Sequence, residues 1–207
     1  MGNWELRNCL NVEDRGNRLV VVRTGTLNAL LVRDMVILVN PSEVLVGEDR
    51  IEQEIQVKGK VVTDQAYTKV LSDSKVTITS RISLENSLFF PHPILVYNGG
   101  GLDMESYFHV TGKAKVVEAI VLGRIGSGER FQRGKIRVIT KIWSGDELLI
   151  YDVFRVNDGD YLDPNVLGKE GLLTTYSIEG KEFIFDREIL TIKELYRRWS
   201  QITGITF

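Results

Sequence analysis

A glycine-rich, charged stretch, residues 122–134, is the part of the chain whose composition most suggests a functional loop. It reads LGRIGSGERFQRG and carries four glycines, three arginines and one glutamate between two apolar runs. Glycine tolerates positive φ and close backbone approach, so this density predicts a loop with a specified path. The alternative is a flexible surface connection.

Catalytic and nucleotide-binding templates do not fit this stretch. The dinucleotide fingerprint fails because its third glycine position is Phe131. The phosphate-binding P-loop fails because Lys135 is followed by Ile136, which leaves no hydroxyl for magnesium. The nucleophile elbow fails because Ser127 has Gly126 directly before it. The stretch therefore predicts no catalysis.

Strong metal ligands are scarce. The chain has two histidines, His92 and His109, and one cysteine, Cys9, and none share the i,i+2 or i,i+4 spacing of a local site. His109 lies in an apolar strand pattern, which predicts a core or edge residue. His92 lies between two prolines in a rigid, extended turn and is a weak metal candidate. Two histidines are too few for a three-histidine metal enzyme, and no carboxylate pair has an obvious stacking aromatic beside it. We expect no enzyme.

Composition describes an ordinary globular chain of 207 residues, 43% hydrophobic and 26% charged. The net charge of −2 gives no reason to expect nucleic acid or an anionic membrane as a partner. A single cysteine, Cys9, excludes an internal disulfide. We find neither a signal-peptide core nor an apolar run of membrane-spanning length, so the expected location is cytoplasmic.

Residues 18–185 are dominated by apolar, β-branched runs with period two. In the segment 75–84, for example, Val76 and Ile78 share one face with Ile82 and Leu84. This alternation predicts an all-β fold.

Three strand–turn–strand units recur along the chain. Their turns, 57–61, 84–88 and 110–114, start 27 and 26 residues apart. Such a period predicts a layered or superhelical β arrangement, and the alternative is an antiparallel meander. Two later hairpins, at Ser144-Gly145 and Glu179-Gly180, break the spacing.

The C-terminus changes to a helical period over residues 191–203. Thr191 and Glu194 form a capping box, and Gly204 lies just beyond the end. One stripe carries the apolar residues Ile192, Leu195, Tyr196, Trp199 and Ile202. The amphipathic helix either packs on its own sheet or serves as an aromatic handle for a partner. No linker separates it from the strands, so we predict a single domain over residues 1–207.

Residues 121–160 resemble the signature of the urease accessory proteins called UreD or UreH. The matching positions are Gly123, Arg124, Gly128, Glu129, Phe131, Gly134, Trp143 and Gly145. Weaker matches extend to residues 40–57, 61–71 and 88–100, and the resemblance covers roughly residues 39–160. Members are mainly β with a couple of short helices, which agrees with the pattern above.

The resemblance implies a function that periodicity alone does not show. Members act with a helical adaptor and a GTPase to deliver nickel into apo-urease, as scaffolds bound to the urease subunits. On this view the chain has no tightly bound cofactor, and nickel passes in transit through a water-filled route. The alternative function is a non-catalytic β-sandwich module that binds sugar or peptide through exposed aromatic residues.

The resemblance also nominates site residues. The candidates for lining the nickel route or organising an interface are Asp49, Arg50, Lys69, Arg124 and Glu129. The alternative is that these residues form ordinary ion pairs at the bases of loops. The glycines expected to define the loops are Gly47, Gly123, Gly126, Gly128 and Gly134.

Overall fold

The computed structural model describes residues 7–124 and 128–205, which form strands and one C-terminal α-helix. In chain order the strands are β1 (Arg7–Asp14), β2 (Leu19–Thr24), β3 (Asn28–Val32), β4 (Met35–Val39), β5 (Val44–Leu45), β6 (Arg50–Lys58), β7 (Val61–Asp64), β8 (Thr68–Val70), β9 (Lys75–Phe89), β10 (Ile94–Val96), β11 (Gly101–Leu122), β12 (Lys135–Ser144), β13 (Glu147–Asn157), β14 (Gly171–Glu179) and β15 (Glu182–Leu190). A short 3-10 helix, Asp158–Leu162, follows β13, and helix α1 spans Ile192–Thr203. The expected mainly-β fold with a short C-terminal helix is confirmed.

Successive coils stack in parallel. Strands β6, β9, β11 and β12 lie side by side in one direction, so that Ile51, Ile78, Met104 and Val138 occupy equivalent positions. The first two steps span 27 and 26 residues, as the sequence period predicts. The third spans 34 because the glycine-rich loop lies between its strands. The chain is therefore superhelical, a β-solenoid, rather than an antiparallel meander or a β-sandwich.

The three recurring turns are corners of this solenoid. Gly59, Asn86 and Gly112 sit at corresponding points with φ of 62°, 48° and 75°. The amide of Gly59 donates to the carbonyl of Glu85 in the next coil at 2.8 Å. Positive φ redirects the chain from one face of the solenoid to the next, and glycine adopts it at low cost.

Hairpins complete the C-terminal end of the solenoid. The hairpins predicted at Ser144-Gly145 and Glu179-Gly180 join β12 to β13 and β14 to β15. Strand β13 pairs only with β12, and β15 pairs only with β14, among the described strands. Both are therefore sheet edges at this end.

Helix α1 packs on its own sheet. The predicted capping box is present, with the amide of Glu194 donating to the hydroxyl of Thr191, and Gly204 ends the helix at φ 71°. Leu195 and Trp199 are fully buried, and the indole of Trp199 donates to the carbonyl of Pro91 at 3.0 Å. Within the described residues, no helix has the length and apolarity needed to cross a membrane.

Candidate functional site

A column of polar side chains interrupts the apolar interior. Gln53, Ser80, Ser106 and Thr140 come from adjacent strands in register and point into the solenoid. The hydroxyl of Ser80 donates to the amide oxygen of Gln53 at 3.3 Å. Polar groups in an apolar interior are costly unless they are hydrogen-bonded, so the contacts among these side chains offset the cost of burying them.

Glu118 meets this column from another wall of the solenoid. Its side chain belongs to the second half of β11, and the residue is only 8% exposed. The hydroxyl of Thr140 donates to its carboxylate at 2.6 Å, and Ser106 also hydrogen-bonds to it. Burial raises the pKa of Glu118 to about 7; the nearby charge of Asp152 adds to the rise, and the hydrogen bonds oppose it. This carboxyl therefore titrates near neutral pH.

Polar contacts continue from Glu118 toward the C-terminal end. The hydroxyl of Tyr176 lies 3.4 Å from the carboxylate of Glu118 and donates to that of Asp152 at 2.6 Å. Burial is the main cause that raises the pKa of Tyr176. Asp152 forms an ion pair with Arg187 on β15. We call this set the interior polar chain: Gln53, Ser80, Ser106, Glu118, Thr140, Tyr176, Asp152 and Arg187.

The interior polar chain borders a cavity of about 100 Å³. Its lining is mostly apolar, but Gln53, Ser80, Ser106 and Glu118 line it too. A cavity of this size accommodates water, which would find its hydrogen-bond partners on the polar part of the wall.

His92, the weak metal candidate, lies at another wall of the same cavity. Its Nδ1 is 2.6 Å from a carboxylate oxygen of Asp64, and its amide donates to the same oxygen at 2.7 Å. Burial raises the pKa of Asp64, and the contacts with His92 oppose that rise. The imidazole lies 5.5 Å from the ring of Tyr67 and 4.9 Å from that of Trp199, centroid to centroid. Packing thus fixes this side chain.

Three of the predicted charged residues, Asp49, Arg50 and Lys69, lie in the N-terminal coils of the solenoid. A carboxylate oxygen of Asp49 accepts the amide of Val46 at 2.9 Å. Lys69 forms an ion pair with Glu43 at 2.9 Å. Arg50 begins β6 with an exposed side chain. The contact of Asp49 shapes a local turn, and the ion pair of Lys69 joins two neighbouring coils.

The other two predicted charged residues lie in the glycine-rich loop. Arg124 and Glu129 form an isolated β-bridge, and the guanidinium of Arg124 lies 5.6 Å from the ring centroid of Tyr97. The carboxylate of Glu129 accepts the amide of Asn98 at 2.7 Å. The side chain of Asn98 in turn accepts two amides further along the loop. These hydrogen bonds hold the described part of the loop.

The structure separates the predicted residues from the interior. The described residues that line the cavity do not include Asp49, Arg50, Lys69, Arg124 or Glu129. Their assignment to a nickel route or an interface stays a prediction. A sequence signal for the interior polar chain does exist, because Gln53, Ser80 and Ser106 fall at the inward parity of their strands and repeat at the coil spacing of 27 and 26.

The glycines predicted to define the loops differ in backbone conformation and in the space around them. Gly47, Gly123 and Gly128 have φ of 60°, 84° and 81°, and Gly134 has φ of 131°. Gly126 lies outside the described residues. A Cβ at Gly134 would lie 2.2 Å from the carbonyl oxygen of Gly100, whereas one at Gly128 would meet nothing within 4 Å.

We expect Gly134→Ala to lower the free energy of unfolding by about 3 kcal/mol, because backbone strain and a collision with main chain combine. Gly128→Ala is the matched control and should cost only about 1 kcal/mol, from the left-handed conformation alone. Urea denaturation of both variants measures the difference. Equal losses would show that the close approach at Gly134 is relieved by movement of the loop.

Outside the solenoid, aromatic and basic side chains form a row across four strands. Arg81, Tyr107, Lys141 and Tyr151 are in register. The ring centroid of Tyr107 lies 5.8 Å from the guanidinium of Arg81 and 5.1 Å from the ammonium of Lys141, which is 5.3 Å from the ring centroid of Tyr151.

The ring of His109 stacks on that of Trp143 in the adjacent row, with the centroids 5.2 Å apart. His109 was predicted as a core or edge residue, which is wrong: it is exposed on a strand paired on both sides. Its apolar sequence neighbours point to the opposite face.

The chemistry available inside is that of oxygen donors. The described residues contain no group of three or more His, Cys, Asp or Glu side chains placed to hold a metal ion. The interior polar chain offers carboxylates, hydroxyls and an amide, which suit weak contact with a hydrated cation rather than tight coordination.

The profile of the UreD urease accessory protein family matches residues 28–204. The chain belongs to the UreD urease accessory protein family. Urease accessory proteins UreD of Pseudomonas paraeruginosa and of a Pseudomonas aeruginosa strain are each 25% identical to it over 144 residues, 65% of this chain. The same segment covers 51% of each relative, so the chain spans about half the length of the UreD proteins that it matches.

Proposed function

We propose that this chain is a non-enzymatic urease maturation factor. In this role it binds apo-urease and the other accessory proteins, a helical adaptor and through it a GTPase, and helps to deliver nickel in the cytoplasm. Membership of the UreD family supports the urease role. The single observation that carries the nickel role is the interior polar chain, which runs from the cavity to the C-terminal end of the solenoid.

The oxygen donors of this chain suit a transferred ion. A conduit must release what it binds, and carboxylates and hydroxyls hold a divalent cation less tightly than thiolates or clustered imidazoles do. Burial makes the charged form of Glu118 costly even with its hydrogen bonds, so a bound proton or a nearby cation stabilises this side chain. Because burial raises its pKa to about 7, the protonated and the charged forms of Glu118 are both populated at neutral pH.

Co-expression tests the proposal. The chain is produced with urease structural subunits, the helical adaptor and the GTPase, and complexes are recovered by affinity capture on the chain. We expect a complex containing urease and the adaptor, and nickel-dependent urease activity that is lost when the chain is omitted. A soluble, folded chain that captures neither partner would contradict the proposal.

The alternative function is a ligand-binding module, and the outward-facing row of Arg81, Tyr107, Lys141 and Tyr151, in which Arg81 and Tyr151 are exposed, favours it. Tyrosine rings beside cations form surfaces on which sugars and peptides stack. Titration with oligosaccharides, followed by intrinsic fluorescence in the parent chain and in Trp143→Phe, isolates the signal of Trp143 and reports binding at this face. Saturable binding of sugar together with failure to capture urease would favour the module.

A further inference from the structure

Arg187 lies where the interior polar chain reaches solvent. Its guanidinium pairs with the carboxylate of Asp152, donates to the hydroxyl of Thr174 at 3.3 Å, and lies 5.3 Å from the ring centroid of Phe185. The side chains of Arg187 and Asp152 are 25% and 15% exposed. This ion pair is therefore the boundary between the interior and water at this end.

Asp152, Tyr176 and Glu118 link Arg187 to the cavity. A small cleft of about 10 Å³ behind the ion pair is lined by Glu118, Asp152, Thr174 and Tyr176, among others. Glu118 and Ile120 line both this cleft and the main cavity. Displacement of the guanidinium would open this cleft, and with it one side of Glu118, to bulk water.

The element that carries Arg187 suits such movement. Strand β15 pairs only with β14 among the described strands, so its other edge lacks a neighbouring strand to restrain it. Its neighbours Phe183, Ile184 and Phe185 are 48%, 71% and 43% exposed, which leaves room beside the edge. The guanidinium sits at the end of a long side chain that can rotate outward without moving the backbone.

We propose that Arg187 is a gate, which closes this end of the polar interior while it pairs with Asp152 and opens this end to solvent when it swings out. The open state is the minor one, because leaving Asp152 breaks a charge-assisted contact. The proposal rests on the proposed function only for the identity of the ion that passes. The gate itself is a property of the folded chain.

Thiol labelling tests the gate on the full chain. Cys9 is replaced by Ser, and Ser106→Cys places a reporter thiol in the buried polar column. The probe is a small neutral methanethiosulfonate reagent. We expect Arg187→Gln to raise the labelling rate roughly tenfold, because the open state becomes more populated.

Arg198→Gln is the matched control, since Arg198 forms an ion pair with Glu188, a neighbour of Arg187 on the same strand, but does not line the cleft. It should leave the labelling rate unchanged. An unchanged rate in Arg187→Gln, or an equal rise in Arg198→Gln, would overturn the gate. Labelling is also measured at low concentrations of urea. Labelling through global unfolding speeds up steeply with urea, whereas labelling through a local opening does not, so the two routes are distinguished.

If Arg187→Gln fails to fold, Arg187→Lys is used, which keeps the charge but loses the planar donor fork. It should raise the labelling rate above that of the parent by less than tenfold, and a rate equal to that of the parent would overturn the gate. Neither nickel nor urease is present in the assay. Failure of the gate therefore leaves the co-expression result standing, and failure of co-expression leaves the labelling result standing.

Discussion

Glu118→Gln is expected to abolish a pH dependence of folding stability between about pH 4.5 and pH 7. The pKa of Glu118 is raised from 4.5 to about 7 in the folded chain. Between these values the folded state holds a proton that the unfolded state releases. The free energy of unfolding therefore falls as pH rises through this window, by about 3 kcal/mol in all, and stays low above pH 7.

Glutamine has no proton to lose and keeps the acceptor for the hydroxyl of Thr140. The variant should thus be more stable than the parent at pH 8 and nearly equal to it at low pH. Urea denaturation at a series of pH values measures this. Glu129→Gln, which removes a carboxylate of the outer loop, should leave the slope in place. A slope that persists in Glu118→Gln would show that other groups cause it.

The variant Glu118→Gln also distinguishes a role in nickel transport from a role in assembling the complex with urease. Under the proposed function, Glu118→Gln should lower nickel-dependent urease activation roughly tenfold, because a neutral amide attracts a cation less than a carboxylate does. Capture of urease and the adaptor should remain, since Glu118 is 8% exposed and is buried inside the solenoid. Loss of capture together with activation would mean that the variant alters the surface of the protein instead.

Much of the fold was predictable because its signals are local. Alternation in residues 75–84 fixes which side chains face inward, and the turns at Gly59, Asn86 and Gly112 repeat at the coil period. The capping box of Thr191 and Glu194 and the glycine after the helix define α1 within a few residues. Such features depend on neighbours along the chain, which the sequence displays directly.

The candidate site was harder to predict because it depends on register between coils. Ser80 and Ser106 become neighbours only when strands 26 residues apart align, and Thr140 joins them across an irregular step of 34 residues. Glu118 reaches them from a different wall of the solenoid. By contrast, Arg124 and Glu129 attract attention through charge and motif but lie in an outer loop.

Trp199→Ala is expected to lower the free energy of unfolding by about 4 kcal/mol, among the largest effects of any single replacement in the described residues. Trp199 is fully buried between α1 and the solenoid, where it packs with Phe90, Val117 and Leu195. Truncation would remove this packing and leave a cavity. It would also leave the carbonyl of Pro91 without the hydrogen bond that it now accepts from the indole at 3.0 Å. Urea denaturation followed by circular dichroism measures the loss.

Trp199→Phe separates the causes, because it keeps a ring in the cluster but removes the donor to Pro91. We expect it to cost about 1 kcal/mol beyond the reduction in ring size, the usual net value of one hydrogen bond. A loss below about 1 kcal/mol in Trp199→Ala would contradict tight packing of the helix.

The indole ring of Trp199 also lies 4.9 Å from the imidazole of His92, centroid to centroid, and His92 lines the cavity together with Asp64. If helix and interior are coupled through this contact, Trp199→Ala should also speed labelling of a thiol at position 106 in a chain that keeps Arg187, because one wall of the cavity has loosened.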